Sequence, residues 1–144
     1  MDEMPLIGVV VVTHGQLATE LVNAAEMIVG ELRGFAAVSI GWQDDPEVAR
    51  GEVARAVARV EGPRGVLILT DMFGGTPSNI ALTFLKEGQV EVMSGVNLPM
   101  LIKLTSLRSS ADLLGVARQM RDYARDAIWV ASDLLRSGTT PAKG

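Results

Sequence analysis

The chain has 144 residues, no cysteine, a single histidine and a net charge of −4. Without cysteine it forms neither disulfides nor thiolate metal sites, and one histidine excludes a histidine-rich metal centre. The acidic balance, with no basic run, argues against a nucleic-acid partner. We expect no metal and no cofactor.

The length predicts one domain across residues 1–144, with flexible ends at 1–5 and about 137–144. The first five residues, MDEMP, are acidic where a signal peptide would be basic. The apolar stretch from Leu6 to Val12 is too short to span a bilayer. We therefore expect a cytoplasmic protein.

Four apolar runs rich in β-branched residues predict four strands. They are LIGVVVV from Leu6, FAAVSIGW from Phe35, GVLIL from Gly65 and QVEVMSG from Gln89. Runs such as VVVV do not alternate apolar with polar residues, which is typical of strands buried on both faces of a parallel sheet. The predicted fold class is α/β: a doubly wound, mainly parallel four-stranded sheet, in the flavodoxin-like order 2-1-3-4, with helices on both faces.

Helices are predicted between these strands. The first spans residues 16–29, where apolar residues at helical spacing predict the buried face. Those residues are Leu17, Leu21, Ala24 and Ile28. An N-cap followed by the first residue of a helix is predicted at Asp45–Pro46 and again at Thr76–Pro77. The second of these helices is predicted to end before Gly88. The tail, residues 111–135, also has helical spacing, although Ile128–Val130 fit a short edge strand as well.

Two side chains capable of chemistry follow the first and third strands. His14 and Asp71 should meet at the carboxyl edge of the sheet, because these strands are neighbours in the order 2-1-3-4. A carboxylate that accepts the N–H of one imidazole nitrogen sets the tautomer and leaves the other nitrogen free as a nucleophile. Taken singly, each residue is more readily explained as an ordinary loop or capping residue.

A phosphate-binding segment is predicted next to Asp71. Gly74 and Gly75 let backbone N–H groups turn toward one point, the helix start adds partial positive charge, and Thr76 adds a hydroxyl. The lysine and spacing of a P-loop are absent. With His14, this combination predicts a site that holds a phosphoryl group on histidine without hydrolysing a nucleotide.

Other polar and aromatic loop residues have two interpretations each. Asn97 either donates to a ligand or caps the next helix, and Trp42 either contacts a partner or packs over a helix end. Asp44 and Asp45 are interpreted as a helix start rather than a metal site.

Four segments, IGVVVVTHG, AEMIVG, GVLILTDMFGGTPSN and GVNLPML, lie between Leu6 and about Thr105. In these segments the chain resembles the IIA component (EIIA) of the mannose family of the bacterial phosphoenolpyruvate-dependent sugar phosphotransferase system (PTS). The resemblance implies a phosphocarrier that takes phosphate from the carrier protein HPr and passes it to IIB. It implies His14 as the phosphorylated residue, Asp71 as the carboxylate on its other ring nitrogen, and Thr76 beside the phosphate.

The resemblance also implies a homodimer whose sheet is extended by an antiparallel edge strand exchanged between subunits, here from around residues 127–135. Contact with the membrane is implied only through the IIC/IID permease. An apolar rim of Met72, Phe73 and Leu98 is expected around the site. Ser78 stands where relatives often have an aromatic residue, which is expected to alter that rim.

Two alternatives remain open. No IIB domain follows in this sequence, so the acceptor is expected to be a separate protein, or the domain is a regulatory module that senses an anion without catalysis. The phosphotransferase subunit of a dihydroxyacetone kinase shares the fold and an N-terminal histidine. The loop DMFGGTPSN disfavours that second alternative.

Overall fold

A computed structural model of the protein describes residues 5–137, and the predicted flexible ends lie outside these apart from residues 5 and 137. The strands are β1 (Gly8–His14), β2 (Phe35–Ile40), β3 (Val66–Thr70) and β4 (Val90–Ser94). The helices are α1 (Leu17–Val29), α2 (Pro46–Val60), α3 (Thr76–Leu82), α4 (Leu98–Leu107), α5 (Leu113–Asp126) and α6 (Ala131–Ser137).

The four strands form one parallel sheet in the order β2-β1-β3-β4, which confirms the predicted topology. In the register of this sheet, His14 pairs with Ile40 of β2, and Val12 pairs with Thr70 of β3. Strand β1 therefore lies between β2 and β3, and the loops after these three strands emerge at one carboxyl edge.

The core has two halves, one on each face of the sheet. Consecutive valines of β1 point to opposite faces: Val9 and Val11 pack with α1, α4 and α5, whereas Val10 and Val12 pack with α2 and α3. All four valines are fully buried. The run VVVV does not alternate because both faces of β1 are covered by helices.

The buried face of α1 differs from the predicted one. Ala18 and Ala25 are fully buried, whereas Leu17 and Ile28 are 46% and 59% exposed. Two alanines seven residues apart lie on the same side of the helix and let its backbone approach the core closely. Leu17 and Ile28 are thereby turned outward, whereas Leu21 packs against the core as predicted.

The start of α2 is as predicted, and that of α3 is not. Asp45 caps α2 by accepting a hydrogen bond from the backbone N–H of Glu47. In α3 the cap position belongs to Gly75, and Thr76 is the first helical residue. The prediction of Thr76 as the N-cap was wrong because Gly75, with a φ of +87°, makes the turn into the helix. Helix α3 is also shorter than predicted and ends at Leu82.

The tail of the chain forms two helices rather than an edge strand. Residues 128–130 connect α5 to α6 and pair with no strand among residues 5–137 of this single chain. The interpretation of Ile128–Val130 as an edge strand is therefore wrong for one isolated chain. The outer edge of β4 pairs with no other strand within residues 5–137.

Candidate functional site

His14 and Asp71 meet at the carboxyl edge, as the strand order predicts. The Oδ2 atom of Asp71 lies 2.8 Å from Nδ1 of His14 and accepts the backbone N–H of the same residue at 3.0 Å. The Oδ1 atom accepts the backbone N–H of Met72 at 3.0 Å. A carboxylate held in this way orients the imidazole with its Nδ1–H toward Asp71. The lone pair of Nε2 then faces away from the carboxylate.

The charge of Asp71 is stabilised by these same contacts. Partial burial opposes ionisation, but the backbone and ring hydrogen bonds with His14, its charge, and the N–H of Met72 outweigh it and lower the pKa of Asp71. Asp71 is therefore a carboxylate at neutral pH, suited to stabilise positive charge on the imidazole.

Two buried threonines position the ends of β1 and β3. Thr13 accepts the backbone N–H of Ala18 at 2.6 Å, which joins β1 to the first turn of α1. Its counterpart on β3, Thr70, has its hydroxyl 2.8 Å from Oγ of Ser94 on β4. Both threonines are fully buried and directly precede His14 and Asp71. The sequence interpretation missed them, although a threonine at the end of an otherwise apolar strand was the available signal.

The predicted phosphate-binding segment lies against the imidazole. Gly74 and Gly75 have φ values of +99° and +87°, which side chains larger than hydrogen rarely adopt. A Cβ atom at Gly75 would stand 3.1 Å from both Cε1 and Nε2 of His14, whereas one at Gly74 would meet nothing within 4 Å. Gly75 is thus required for the close approach of the backbone to the ring.

Within residues 5–137, the backbone N–H groups of Gly74, Gly75 and Thr76 make no hydrogen bond. They lie at the start of α3, where the first N–H groups of a helix have no partner within it. Thr76 is exposed and lines a cavity of about 280 Å³ between α2 and α3, which Arg50 and Asn79 also line. The segment therefore has unpaired hydrogen-bond donors, and its Gly75 lies against the ring of His14.

Of the remaining predicted residues, one stabilises a helix start and one lies at the surface. Asn97 caps α4 by accepting the N–H of Met100 at 3.0 Å, and its amide donates to the carbonyl of Ala124 at 3.2 Å, so the capping interpretation is confirmed. Trp42 is 95% exposed and does not pack over a helix end, contrary to one of its two interpretations.

The expected rim around His14 is only partly formed by the residues predicted for it. Met72 and Phe73 are 54% and 77% exposed, whereas Leu98 is half-buried against the core. Ser78 is 1% exposed and its hydroxyl has no hydrogen-bond partner. The prediction that Ser78 alters the rim is wrong, because its position in the first turn of α3 faces inward.

Neither a metal cluster nor a membrane-spanning helix occurs in the part of the chain that the structure describes. No three histidine or acidic side chains converge there in a way that could hold a metal ion. None of the helices described combines the length and the apolar character needed to cross a bilayer.

Comparison with known proteins identifies the family. The model of the EIIA-man family, described as "PTS system fructose IIA component", matches residues 8–120. The chain belongs to this family. It is thus a IIA component of the PTS, a system of sugar phosphotransfer, and the resemblance inferred from the sequence is confirmed.

Individual relatives agree with this assignment. The chain is 29% identical over 136 residues to the fructose-specific EIIA component of Bacillus subtilis, covering 94% of this chain and 93% of that one. It is 33% identical over 108 residues to the mannose-specific EIIAB component of Escherichia coli, covering 71% of this chain but spanning only 32% of that protein. A crystal structure of the IIA protein associated with the fucose utilization operon of Streptococcus pneumoniae superposes with a TM-score of 0.80, at 26% identity, covering 90% of this chain and 96% of that one.

Proposed function

We propose that this IIA component is a phosphocarrier in which Nε2 of His14 accepts a phosphoryl group from phospho-HPr and passes it to a separate IIB protein. One observation carries the proposal: Asp71 bonds Nδ1 of His14 at 2.8 Å, which leaves Nε2 free against Gly75, in a segment whose N–H groups make no hydrogen bond. The site therefore combines a nucleophile with a place for the group it receives.

In the proposed reaction, the Nε2 lone pair attacks the phosphorus of the donor's phosphohistidine in line. A new P–N bond forms as the donor's P–N bond breaks, and that electron pair returns to the donor's imidazole. The His14 ring gains positive charge, which Asp71 stabilises, while the N–H groups of Gly74–Thr76 donate to the phosphoryl oxygens. Positioning and charge stabilisation by these residues supply the catalysis.

The proposed assembly is a cytoplasmic homodimer that contacts the membrane only through a IIC/IID permease. Support for the dimer comes from the open outer edge of β4 and from the connection between α5 and α6. In that connection, Ile128, Trp129 and Val130 are 75%, 47% and 61% exposed. An exposed apolar segment and an unpaired strand edge are complementary, so two copies can satisfy each other by pairing.

Labelling with phosphoenolpyruvate tests the phosphocarrier proposal. The chain is incubated with labelled phosphoenolpyruvate, enzyme I and HPr, and compared with a His14→Ala variant. Acid-labile label on the wild type and none on the variant is the expected result. An absence of label on both, with cognate and active helper proteins, overturns the proposal. Saturable binding of inorganic phosphate without label would instead indicate the anion-sensing regulatory module.

A further inference from the structure

Trp42 has the most exposed large apolar side chain among residues 5–136, at 95%. Its loop is held in place: Asp44 accepts the backbone N–H of Gly41 through Oδ2, and its own N–H donates to the carbonyl of Gly41 at 3.2 Å. The indole is therefore presented to solvent by a hydrogen-bonded turn. Tryptophan is one of the residue types that carry most of the binding energy at protein interfaces.

The sheet register places the loop that carries Trp42 next to the end of β1, where His14 lies. His14 pairs with Ile40, whose carbonyl accepts the N–H of Gly15 at 2.8 Å, and Trp42 follows Ile40 by two residues. Strand β1 lies between β2 and β3, so the loops that carry Trp42 and Phe73 flank the end of β1 at the carboxyl edge. A protein that brings a phosphoryl group to Nε2 meets an edge at which both flanking loops expose an aromatic side chain.

The surroundings of Trp42 are acidic. Asp44, Asp45 and Glu47 are all exposed on the turn and the first turn of α2, and the one cation nearby in the sequence is Arg50. Asp44 and Asp45 accept backbone hydrogen bonds, which leaves their negative charge in place. This surface is complementary to a partner that has a basic rim around an apolar recess.

We propose that Trp42 is the docking anchor for the protein that donates the phosphoryl group, a phosphohistidine carrier with a basic rim and an apolar recess for the indole. This inference rests on the proposed function. Trp42 acts by binding the donor, and it touches neither His14 nor the transferred group.

A comparison of two phosphoryl donors tests this role. Phospho-HPr must dock, whereas the small molecule phosphoramidate reaches His14 without a protein interface. We expect Trp42→Ala to lower kcat/KM for transfer from phospho-HPr about tenfold or more, mainly through KM. Labelling by phosphoramidate should stay as in the wild type, and Trp42→Phe should recover part of the loss. The control is Leu85→Ala, a 51% exposed side chain after α3 near the opposite edge, which should transfer normally.

The possible outcomes distinguish a failure of the Trp42 proposal from a failure of the proposed phosphocarrier function. Normal transfer from phospho-HPr to Trp42→Ala overturns the anchor alone, as does an equal loss with phosphoramidate. Failure of the wild type to accept phosphate from phospho-HPr overturns both proposals.

Fluorescence gives an independent measurement of docking. In a Trp129→Phe chain, Trp42 is the only indole, and a tryptophan-free HPr should shift its emission to the blue and shield it from acrylamide. Emission that responds to IIB but not to HPr would assign the anchor to the acceptor, and the inference about the donor would be wrong.

Discussion

The two edges of the sheet differ in the contacts that they give to a charged side chain. At the carboxyl edge, Asp71 is paired with the half-exposed ring of His14. At the amino edge, Arg108 is 5% exposed, donates from Nε to the carbonyl of Ile7 at 2.8 Å, and lies 4.8 Å from the ring centre of Phe35. Burial and the charge of Arg33 lower the pKa of Arg108.

The contrast separates a side chain that stabilises the fold from side chains that are available for chemistry. Arg108 connects the end of α4 to the start of β1, and its guanidinium bonds a backbone carbonyl and lies against an aromatic ring of the same chain. His14 retains a free nitrogen beside unbonded N–H groups. At the amino edge the charged side chain contacts groups of its own chain, whereas the carboxyl edge presents unbonded donors and a nucleophile.

Removal of Arg108 should produce the largest loss of stability. Arg108→Ala deletes a charge-assisted hydrogen bond and a cation–π contact, which together predict a loss of about 3 kcal/mol in the free energy of unfolding. Urea denaturation measures this, with the exposed Arg118→Ala as a control expected within about 0.5 kcal/mol of wild type. The folded fraction of Arg108→Ala should still accept phosphate, because the opposite edge is untouched. Loss of labelling in the folded variant would contradict the separation of the two edges.

The second prediction concerns Asp71. Asp71→Asn removes the charge that stabilises the positive imidazole and its preference for one tautomer, so transfer from phospho-HPr should slow about 100-fold or more. Single-turnover transfer kinetics measure the change, and circular dichroism checks that the fold is retained. A variant that relays phosphate as fast as wild type would remove Asp71 from the mechanism.

Gly75 and Gly74 form a matched pair for the third prediction. Both substitutions to alanine strain a positive φ and should cost about 1 kcal/mol in stability. Only Gly75→Ala places a methyl group against Nε2 of His14, so its phosphorylation should fall about tenfold below that of Gly74→Ala, in keeping with the sensitivity of transfer to small misplacements. Equal rates in the two variants would show that the approach of Gly75 to the ring is irrelevant to transfer.

The smallest expected effect is on the free energy of unfolding at acid pH. Because the pKa of Asp71 is lowered in the folded protein, the unfolded chain binds more protons at acid pH. The stabilisation from ionised Asp71 is complete above the unfolded value of about 3.9 and is lost as pH falls through the folded pKa. The difference in unfolding free energy between wild type and Asp71→Asn should therefore shrink as the pH is lowered. A difference that stays constant below this range would mean that the carboxylate gains nothing from His14.

Parts of the site were predictable because they depend on strand ends. His14 and Asp71 meet because β1 and β3 are neighbouring strands. The position of Gly75 directly before a helix predicted that it belongs to an anion-binding turn. The support from Thr13 and Thr70 was not predicted, since a threonine in a strand run does not reveal which backbone N–H or hydroxyl it will meet.

The sequence by itself determined the four parallel strands, their order and the edge where His14 and Asp71 meet. The strands and their shared edge follow from short-range patterns, because apolar runs without alternation require helices on both faces and parallel connections bring strand ends to one edge. The order is that of the flavodoxin-like class of doubly wound sheets. Only the tertiary structure decided the inward position of Ser78, the rotation of α1, the burial of Arg108 and the exposure of Trp42. Burial depends on what distant segments lie against a side chain, and no local pattern carries that information.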